Sequence, residues 1–268
     1  QRTQGGINST FDRPVSGAPA GESDNIGYLG GDVKGIEKNA DYIKGLGFDA
    51  VWLTPIVDNP DEAFTGGDAV IWKGMFQDKG KTGYHGYWGS DFYRVDEHLP
   101  SKDLDFGALN RALSARGIHT VLDIVGNHGS PAFGMPVQQP KYGQIFDKNG
   151  TLVADHQNLP AAKLDPEHNP LHRFYNSKTE MVQLSDLNEN NPAVMDYLTG
   201  AYLQWIEQGA DAFRIDTVKH MPLPFWKEFS RRIRVKHPDF FMFAEAYDYS
   251  ADKIAPFTWP QNGGISVL

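Results

Sequence analysis

Two acidic residues, Asp216 and Glu245, each lie at the end of a short apolar run that predicts a strand. Arg214 lies two residues before Asp216, and alternation along a strand puts both side chains on the same face. A neighbouring guanidinium favours the ionised carboxylate of a nucleophile, and the apolar residues 240–243 before Glu245 favour the protonated form of a proton donor. Such a carboxylate pair can cleave a glycosidic bond. The spacing also fits a structural Arg214–Asp216 ion pair with a solvated Glu245, so both interpretations stay open.

Histidines and aromatic residues occur together in segments that the sequence predicts to be loops. His85, Tyr87 and Trp88 lie close together, and His128 and His220 each follow a predicted strand. Aromatic faces stack on the C–H surfaces of sugars, and imidazoles bind ring hydroxyls, so this set favours a polyol-binding cleft over isolated structural histidines. Zinc is the weaker alternative, because the sequence contains no His-Glu-x-x-His pattern.

The elements that position these residues alternate between helix and strand. Helices are predicted at 36–44, 104–115, 192–208 and 225–235, and strands at 50–54, 119–124, 212–216 and 240–245, with the first of these strands buried. This alternation is typical of a parallel α/β sheet, in which the carboxyl ends of the strands carry the site. A nucleotide-binding doubly wound sheet is disfavoured, because no Gly-rich phosphate fingerprint follows any strand.

A long irregular stretch interrupts this alternation. Residues 126–190 are rich in Pro, Asn, Asp and Gln and contain no long periodic helix. A stretch of this length inside a compact fold is either a subdomain or a functional loop system. We therefore predict a first part of the barrel at 1–125, an inserted subdomain at 126–190, and a continuation of the barrel at 191–268.

Composition limits the class of protein. The chain has 268 residues, 40% of them hydrophobic and 22% charged, which suffices for one large domain or two modest ones. A formal charge of −9 disfavours a nucleic-acid partner. The absence of cysteine excludes disulfides, thiolate metal sites and a cysteine nucleophile. No run approaches the roughly 20 apolar residues that a membrane-spanning helix needs, so no membrane partner is expected.

Five short stretches occur in one order and are interleaved with the βα units. They are Tyr-His-Gly-Tyr-Trp at 84–88, Asp-Ile-Val-Gly-Asn-His at 123–128, Gln-Leu-Ser-Asp-Leu-Asn at 183–188, Asp-Ala-Phe-Arg-Ile-Asp-Thr-Val-Lys-His at 211–220 and Phe-Ala-Glu at 243–245. One such stretch would be weak evidence, but five in order are specific. The sequence resembles the α-amylase family of glycoside hydrolases and transglycosylases, most closely its cyclodextrin glucanotransferase branch.

The resemblance implies a fold and a set of roles. It implies a (β/α)8 TIM barrel with a subdomain inserted after strand three, of which this chain contains about five βα units. It implies that Asp216 is the nucleophile, Glu245 the general acid/base and Arg214 the residue that orients Asp216. The substrate would be an α-glucan, starch or maltooligosaccharides, cleaved with retention of configuration. Substrate contacts are implied for His85, Tyr87, Trp88, His128, Lys219, His220 and Tyr247.

The resemblance also implies a calcium ion. Its ligands would be the Asn127 side chain, the Asp186 carboxylate and the His220 backbone carbonyl. An oxygen-only ligand set fits a hard cation such as Ca²⁺. The ion would tie the inserted subdomain to the barrel strands, which is a structural and not a Lewis-acid role.

The sequence departs from the family pattern at positions that bear on activity. The family uses a third carboxylate after an Asn-His stretch on its seventh strand, and no such stretch follows Glu245. We therefore expect the chain to be a fragment, a processed piece or one chain of a split enzyme, with the remaining barrel segment as its partner and little activity alone. Val182 stands where cyclodextrin-forming relatives carry an aromatic residue, which favours hydrolysis over cyclisation.

Several alternatives remain open at this stage. The same nucleophile and acid would serve a cyclodextrin glucanotransferase or another α-glucan transglycosylase. A non-catalytic relative that only binds carbohydrate is a further possibility, and so is an α/β barrel of unrelated chemistry. A polymeric substrate indicates an extracellular or periplasmic location, by inference from function alone.

Overall fold

A computed structural model of the chain describes residues 31–61, 82–131, 142–177 and 184–268. Its helices and strands are, in chain order, α1 Val33–Lys38, α2 Ala40–Gly45, β1 Ala50–Leu53, β2 Val57–Asp58, β3 Asp91–Val95, α3 Phe106–Ser114, β4 His119–Val125, β5 His128–Pro131, β6 Gln144–Phe146, β7 Leu152–Asp155, β8 Leu184–Asp186, α4 Pro192–Glu207, β9 Ala212–Asp216, α5 Leu223–Lys236, β10 Phe241–Ala244, α6 Ala251–Thr258 and β11 Ser266–Val267. No helix in these ranges is long and apolar enough to cross a membrane.

The chain divides into two compact units, which are described separately. The described part of unit one comprises residues 31–38, 56–61, 82–106, 128–131, 142–177 and 184–188, and that of unit two comprises residues 39–55, 107–127 and 189–268. Unit two contains the βα alternation that the sequence predicts, and unit one contains the irregular stretch.

Unit two is built on a five-stranded sheet with the strand order β1-β4-β9-β10-β11, in which each neighbouring pair is parallel. Every element that the sequence predicts in this unit is present within a few residues. The sequence analysis missed β11, which pairs with β10, because two residues are too few to form a recognisable pattern. The predicted helix at 36–44 is divided at Asn39 into α1 and α2.

The predicted burial of the first strand is wrong. Ala50 and Trp52 are exposed, and the side chains of Val51 and Leu53 are only half-buried. The reason is the position of β1 at the edge of the sheet, where the described residues include a strand partner on one side only. An apolar run predicts a strand but not its place in the sheet.

Packing of α4 against the sheet fixes the end of β4. Asn191 caps the helix by accepting a hydrogen bond from the Ala193 N–H at 3.0 Å, and Pro192 occupies the first turn. Tyr202 of this helix donates its hydroxyl to the Val125 carbonyl at 2.5 Å and accepts from the Val125 N–H at 3.1 Å. The last residue of β4 is therefore held on both of its backbone polar groups.

The described residues of unit one form three antiparallel strand pairs, β2 with β3, β5 with β8, and β6 with β7. His128 lies opposite Asp186 in the β5–β8 register. Trp88, Tyr142 and Leu184 form a buried apolar cluster. The described residues of the stretch 128–188 contain no α-helix, as the composition of that stretch predicts.

Candidate active site

Three carboxylates surround the Arg214 guanidinium in unit two. The strand register explains the arrangement, since Asp123 of β4 is the direct neighbour of Arg214 in β9. Asp216 lies two residues further along β9 and on the same face. Glu245 follows β10, which pairs with β9, and its N–H donates to the Ile215 carbonyl at 2.9 Å. All three side chains thus converge near the carboxyl ends of adjacent parallel strands.

The contacts of Arg214 are short and directional. Nη1 donates to both carboxylate oxygens of Asp123, at 2.9 and 3.0 Å, and to Asp216 Oδ1 at 2.9 Å. Nη2 donates to Glu245 Oε2 at 2.6 Å. The side chains of Arg214 and Asp123 are 9% and 1% exposed, so their ion pair is shielded from water. Charge-assisted bonds of this length are the stronger kind.

The surrounding carboxylates keep the Arg214 guanidinium protonated. Burial alone would lower the pKa of this guanidinium, but the hydrogen bond to Asp123 and the negative charges of Asp123, Asp216 and Glu245 outweigh burial and raise the pKa above its usual value. The Trp52 ring adds to this environment, with its centroid 5.3 Å from Arg214 Cζ. Arg214 is therefore a fixed cation between three acids.

The predicted apolar surround of Glu245 is wrong. Its side chain is 47% exposed and forms an ion pair with Arg214. The strand alternates, with Met242 and Ala244 buried and Phe241 54% exposed, so the apolar run does not enclose the residue that follows it. Glu245 is therefore not buried; it lies near Asp216 because both carboxylates bind the same guanidinium.

Lys219 and Tyr247 lie in the segments that follow β9 and β10. Lys219, in a 3₁₀ helix at Val218–His220, donates to the Tyr247 carbonyl at 3.0 Å and to Asp248 Oδ2 at 2.7 Å. This contact joins the segment after the predicted nucleophile to the segment after the predicted acid. Trp226 of α5 holds the 3₁₀ helix by donating to the Val218 carbonyl at 2.7 Å. His220 is half-buried within that helix.

The remaining predicted sugar contacts lie in unit one. The His85 ring packs edge-on against Trp88, with centroids 4.7 Å apart, and His85 Nδ1 accepts from the Tyr87 N–H at 3.0 Å. Trp88 and His128 are buried, at 5% and 2% exposure. Trp88 therefore packs in the core and supports His85, which differs from the open stacking face that a direct sugar contact requires.

The predicted calcium ligands are divided between the two units. Asn127 and His220 belong to unit two and Asp186 belongs to unit one. The Asn127 and Asp186 residues are buried, at 1% and 3% exposure. Their donors are oxygens, which is the chemistry that Ca²⁺ takes. Val182 lies outside the described residues.

Comparison with known proteins identifies the family. The α-amylase catalytic domain family matches residues 8–267, nearly the whole chain. The chain belongs to the α-amylase family. The resemblance stated from the five sequence stretches is thus confirmed. The catalytic domain of this family is a (β/α)8 barrel, so the predicted fold is confirmed, and the chain is a member of an enzyme family.

The relatives of this chain include both cyclomaltodextrin glucanotransferases and α-amylases. A cyclomaltodextrin glucanotransferase of Klebsiella oxytoca is 32% identical over 84% of this chain and 33% of its own length. An α-amylase of Streptomyces lividans is 30% identical over 86% of this chain and 29% of its own length. The crystal structure of CldA, a cyclomaltodextrin glucanotransferase, superposes with a TM-score of 0.71 at 29% identity, covering 98% of this chain and 53% of that one. The chain spans about a third of the length of the first two relatives.

Sequence reasoning placed Asp123 at the carboxyl end of a predicted strand but gave it no role, and it did not identify Trp52. Asp123 binds Arg214 with both oxygens, and Trp52 donates its indole N–H to Asp123 Oδ2 at 3.2 Å. A signal for Asp123 exists, because it is an acidic residue in the predicted strand next to the one that carries Arg214. Trp52 had no such signal, since its role depends on the β1–β4 pairing.

Proposed function

We propose that this chain carries the catalytic centre of a retaining glycoside hydrolase that cleaves α-1,4-glucosidic bonds in starch and maltooligosaccharides. The observation that carries this proposal is that one guanidinium binds both carboxylates, Asp216 at 2.9 Å and Glu245 at 2.6 Å. A shared guanidinium brings the two carboxylates to one place, and retaining enzymes use such a pair with carboxyl groups about 5–5.5 Å apart.

In the proposed reaction the two carboxylates act in turn. Asp216 attacks the anomeric carbon while Glu245 gives its proton to the bridging oxygen, so the glycosidic bond breaks and a glycosyl ester of Asp216 forms. Glu245, now ionised, takes a proton from water, and the resulting hydroxide displaces Asp216 from the anomeric carbon. Two inversions give net retention of configuration.

Arg214 is a positioning residue in this scheme. Its bond to Oδ1 holds the Asp216 carboxylate in one orientation, which lowers the entropy lost on reaching the geometry of attack. Asp123 in turn holds Arg214 through two hydrogen bonds, and Asp123 is nearly inaccessible to water. The rigidity of the nucleophile thus comes from a buried ion pair behind it.

A trapping experiment tests this function and does not depend on fast turnover. An activated glucosyl fluoride with a second fluorine on the ring slows hydrolysis of a covalent glycosyl-enzyme more than its formation. We expect the intact mass of the protein to rise by one such glycosyl residue, with the adduct located on Asp216. Asp216→Asn should give no adduct, whereas the exposed control Asp252→Asn should react like the unmodified chain. An adduct on another residue would contradict the assignment.

Glucan transfer is the second candidate function. It is favoured by relatives that are named cyclomaltodextrin glucanotransferases, and it uses the same Asp216 and Glu245. Val182, in place of an aromatic residue, favours hydrolysis. Product analysis after incubation with maltoheptaose separates the two functions, since transfer yields cyclic or longer glucans and hydrolysis yields new reducing ends only.

Calcium binding is a separate proposal, based on the resemblance and on donor chemistry. The oxygen donors of Asn127, Asp186 and the His220 carbonyl suit a hard cation, which would stabilise the fold and take no part in proton transfer. Calorimetric titration of the metal-free chain with Ca²⁺ tests it, and Asp186→Ala should weaken the binding. An extracellular or periplasmic location is proposed because the substrate is a polymer, and fractionation of the producing cells tests that.

A further inference from the structure

An imidazole and two carboxylates converge in unit one, and none of the three has a role in the proposed function. Asp61 lies in the segment that follows β2, and Glu97 and His98 lie in the turn that follows β3. One nitrogen or oxygen atom from each side chain lies within 4.8 Å of the corresponding atoms of the other two. The pairing of β2 with β3 brings these two segments together.

The His98 ring is held in one orientation by a carboxylate. Its side chain is 1% exposed, and its Nδ1 lies 2.6 Å from Asp96 Oδ1, which also accepts from the His98 N–H at 2.9 Å. An ionised carboxylate only accepts hydrogen bonds, so Nδ1 carries the proton and the neutral ring keeps its lone pair on Nε2. Asp61 Oδ1 lies 3.9 Å from this nitrogen. A carboxylate on one ring nitrogen is the usual support for a histidine whose other nitrogen binds a metal ion.

Two carboxylate oxygens of this cluster are buried and receive no hydrogen bond from the described part of the chain, Asp61 Oδ1 and Glu97 Oε2. Buried acceptors in proteins normally bind a donor. Arg94 approaches Glu97 Oε2 at 3.7 Å, but its side chain is 60% exposed, so water screens its charge. A cation between these oxygens and the Nε2 lone pair would satisfy all three acceptors at once.

We propose that Asp61, Glu97 and His98 bind a divalent transition-metal ion, for which Zn²⁺ has the best-matched chemistry. Zinc takes imidazole and carboxylate ligands together, whereas Ca²⁺ and Mg²⁺ take oxygen ligands. Zinc binds such atoms at about 2.0–2.2 Å, so two of its ligands can be up to about 4.4 Å apart. The 3.9 Å between His98 Nε2 and Asp61 Oδ1 lies within this limit. A small rotation of the partly exposed Glu97 side chain brings its oxygen into reach, and water would be the fourth ligand.

The ion would stabilise a segment that supports a predicted sugar contact. Asn59 lies two residues before Asp61, and its Oδ1 accepts from the Trp88 N–H at 2.7 Å. Trp88 in turn packs against the His85 ring. A metal ion that joins Asp61 to the turn after β3 would therefore fix the backbone that holds Trp88. This role is structural, it shares no residue with the proposed calcium ligands, and it does not depend on the proposed hydrolytic function.

Zinc titration tests this site. The chain is freed of metals with a chelator, saturated with Ca²⁺ and titrated calorimetrically with Zn²⁺, and we expect one equivalent to bind. Asp61→Asn and Glu97→Gln keep the shape of each side chain and remove its charge, and each should weaken zinc binding by at least about 10-fold. The matched control is His168→Gln, because His168 is an exposed histidine with a carboxylate, that of Asp165, 2.9 Å from its Nδ1. This variant should bind zinc as the unmodified chain does.

Thermal unfolding separates loss of the site from loss of the fold. Zn²⁺ at about 100 times its dissociation constant should raise the Tm of the unmodified chain by about 5–10 °C. The same addition should leave the Tm of Asp61→Asn unchanged. Without metal, Asp61→Asn should be at least as stable as the unmodified chain, because it removes one of several crowded negative charges.

Three results would overturn the inference. Absence of a zinc-dependent rise in the Tm of the unmodified chain would show that the acids share protons and bind no ion. Normal zinc binding by both Asp61→Asn and Glu97→Gln would place any ion elsewhere, and an equal loss in His168→Gln would identify surface binding. Failure to form the glycosyl adduct on Asp216 would overturn the hydrolytic function and leave the metal site untouched.

Discussion

The indole of Trp52 and the carboxylate of Asp123 are hydrogen-bonded across neighbouring strands, with Nε1 and Oδ2 3.2 Å apart. The same indole packs against the Arg214 guanidinium. Trp52 thus contacts both members of the buried ion pair that supports the candidate nucleophile. A half-exposed residue at the edge of the sheet acquires a positioning role in this way.

Replacing Trp52 separates its hydrogen bond to Asp123 from the contacts of its ring with Arg214 and Phe243. Trp52→Phe keeps a ring against Arg214 and removes the N–H donor, and a hydrogen bond to a charged group contributes about 1.5–3 kcal/mol. Trp52→Leu should lose roughly 0.5–1 kcal/mol more for the exposed cation–π contact with Arg214, in addition to its edge-on ring contact with Phe243. Urea unfolding measures both, and Trp259→Phe, at a tryptophan that is 46% exposed, is the control with little expected effect. Equal stability of the Phe and Leu variants would argue against the ring contact.

The stability of this site should depend on the planar guanidinium of Arg214 and not only on its positive charge. Arg214→Met leaves three acids without their shared cation, and breaking a buried ion pair costs about 3–5 kcal/mol. Arg214→Lys keeps one positive charge but cannot bind Asp123 through two bonds while also bridging Asp216 and Glu245. We expect the Lys variant to lie between the Met variant and the unmodified chain in free energy of unfolding. A Lys variant as stable as the unmodified chain would show that charge alone suffices.

Much of unit two could be predicted from the sequence, because its elements are set by local pattern. The alternation in β9 correctly put Arg214 and Asp216 on one face. The identity of the main Arg214 partner required the β4–β9 register, which pairs residues 91 positions apart and leaves no local trace. The environment of Glu245 was misjudged for a similar reason, since an apolar run does not reveal on which side of the sheet the next carboxylate lies.

Close packing against Trp226 explains why position 126 is a glycine, which the sequence pattern alone does not explain. A Cβ at this position would lie 2.7 Å from Trp226 Cη2, and Trp226 also holds the turn after β9. Gly126→Ala should therefore cost about 1–3 kcal/mol of stability, as overpacking of a core does. Gly45→Ala is the matched control, because nothing lies within 4 Å of its added Cβ. Denaturant unfolding of both variants checks this, and similar stabilities would contradict it.

Asp58 in unit one should make stability fall as the pH rises. Burial, and next the charge of Glu97, raise the pKa of Asp58 to about 8 against the opposing charge of Arg94. Between pH 4 and 8 the unfolded chain is ionised at this position while the folded chain holds the proton, so folding is weakened progressively. Asp58→Asn should remove this loss and gain at least about 1 kcal/mol over the unmodified chain between pH 5 and pH 8.5. Asp239→Asn, at an exposed site, should show no such gain in urea unfolding.

His156 should have the opposite effect and make stability rise with pH. Burial, followed by the charge of His172, lowers the pKa of His156 to about 4 from its usual 6.5. Below pH 6.5 the unfolded chain takes up a proton that the folded chain refuses until about pH 4, so the stability present at neutral pH is lost across this window. The loss is about 3 kcal/mol at full effect. His156→Phe keeps the edge-on contact with Tyr175, whose centroid lies 5.0 Å away, and cannot be protonated. The difference in unfolding free energy between this variant and the unmodified chain should therefore shift in favour of the variant from pH 7 to pH 4, and a constant difference would show that His156 titrates normally in the folded chain.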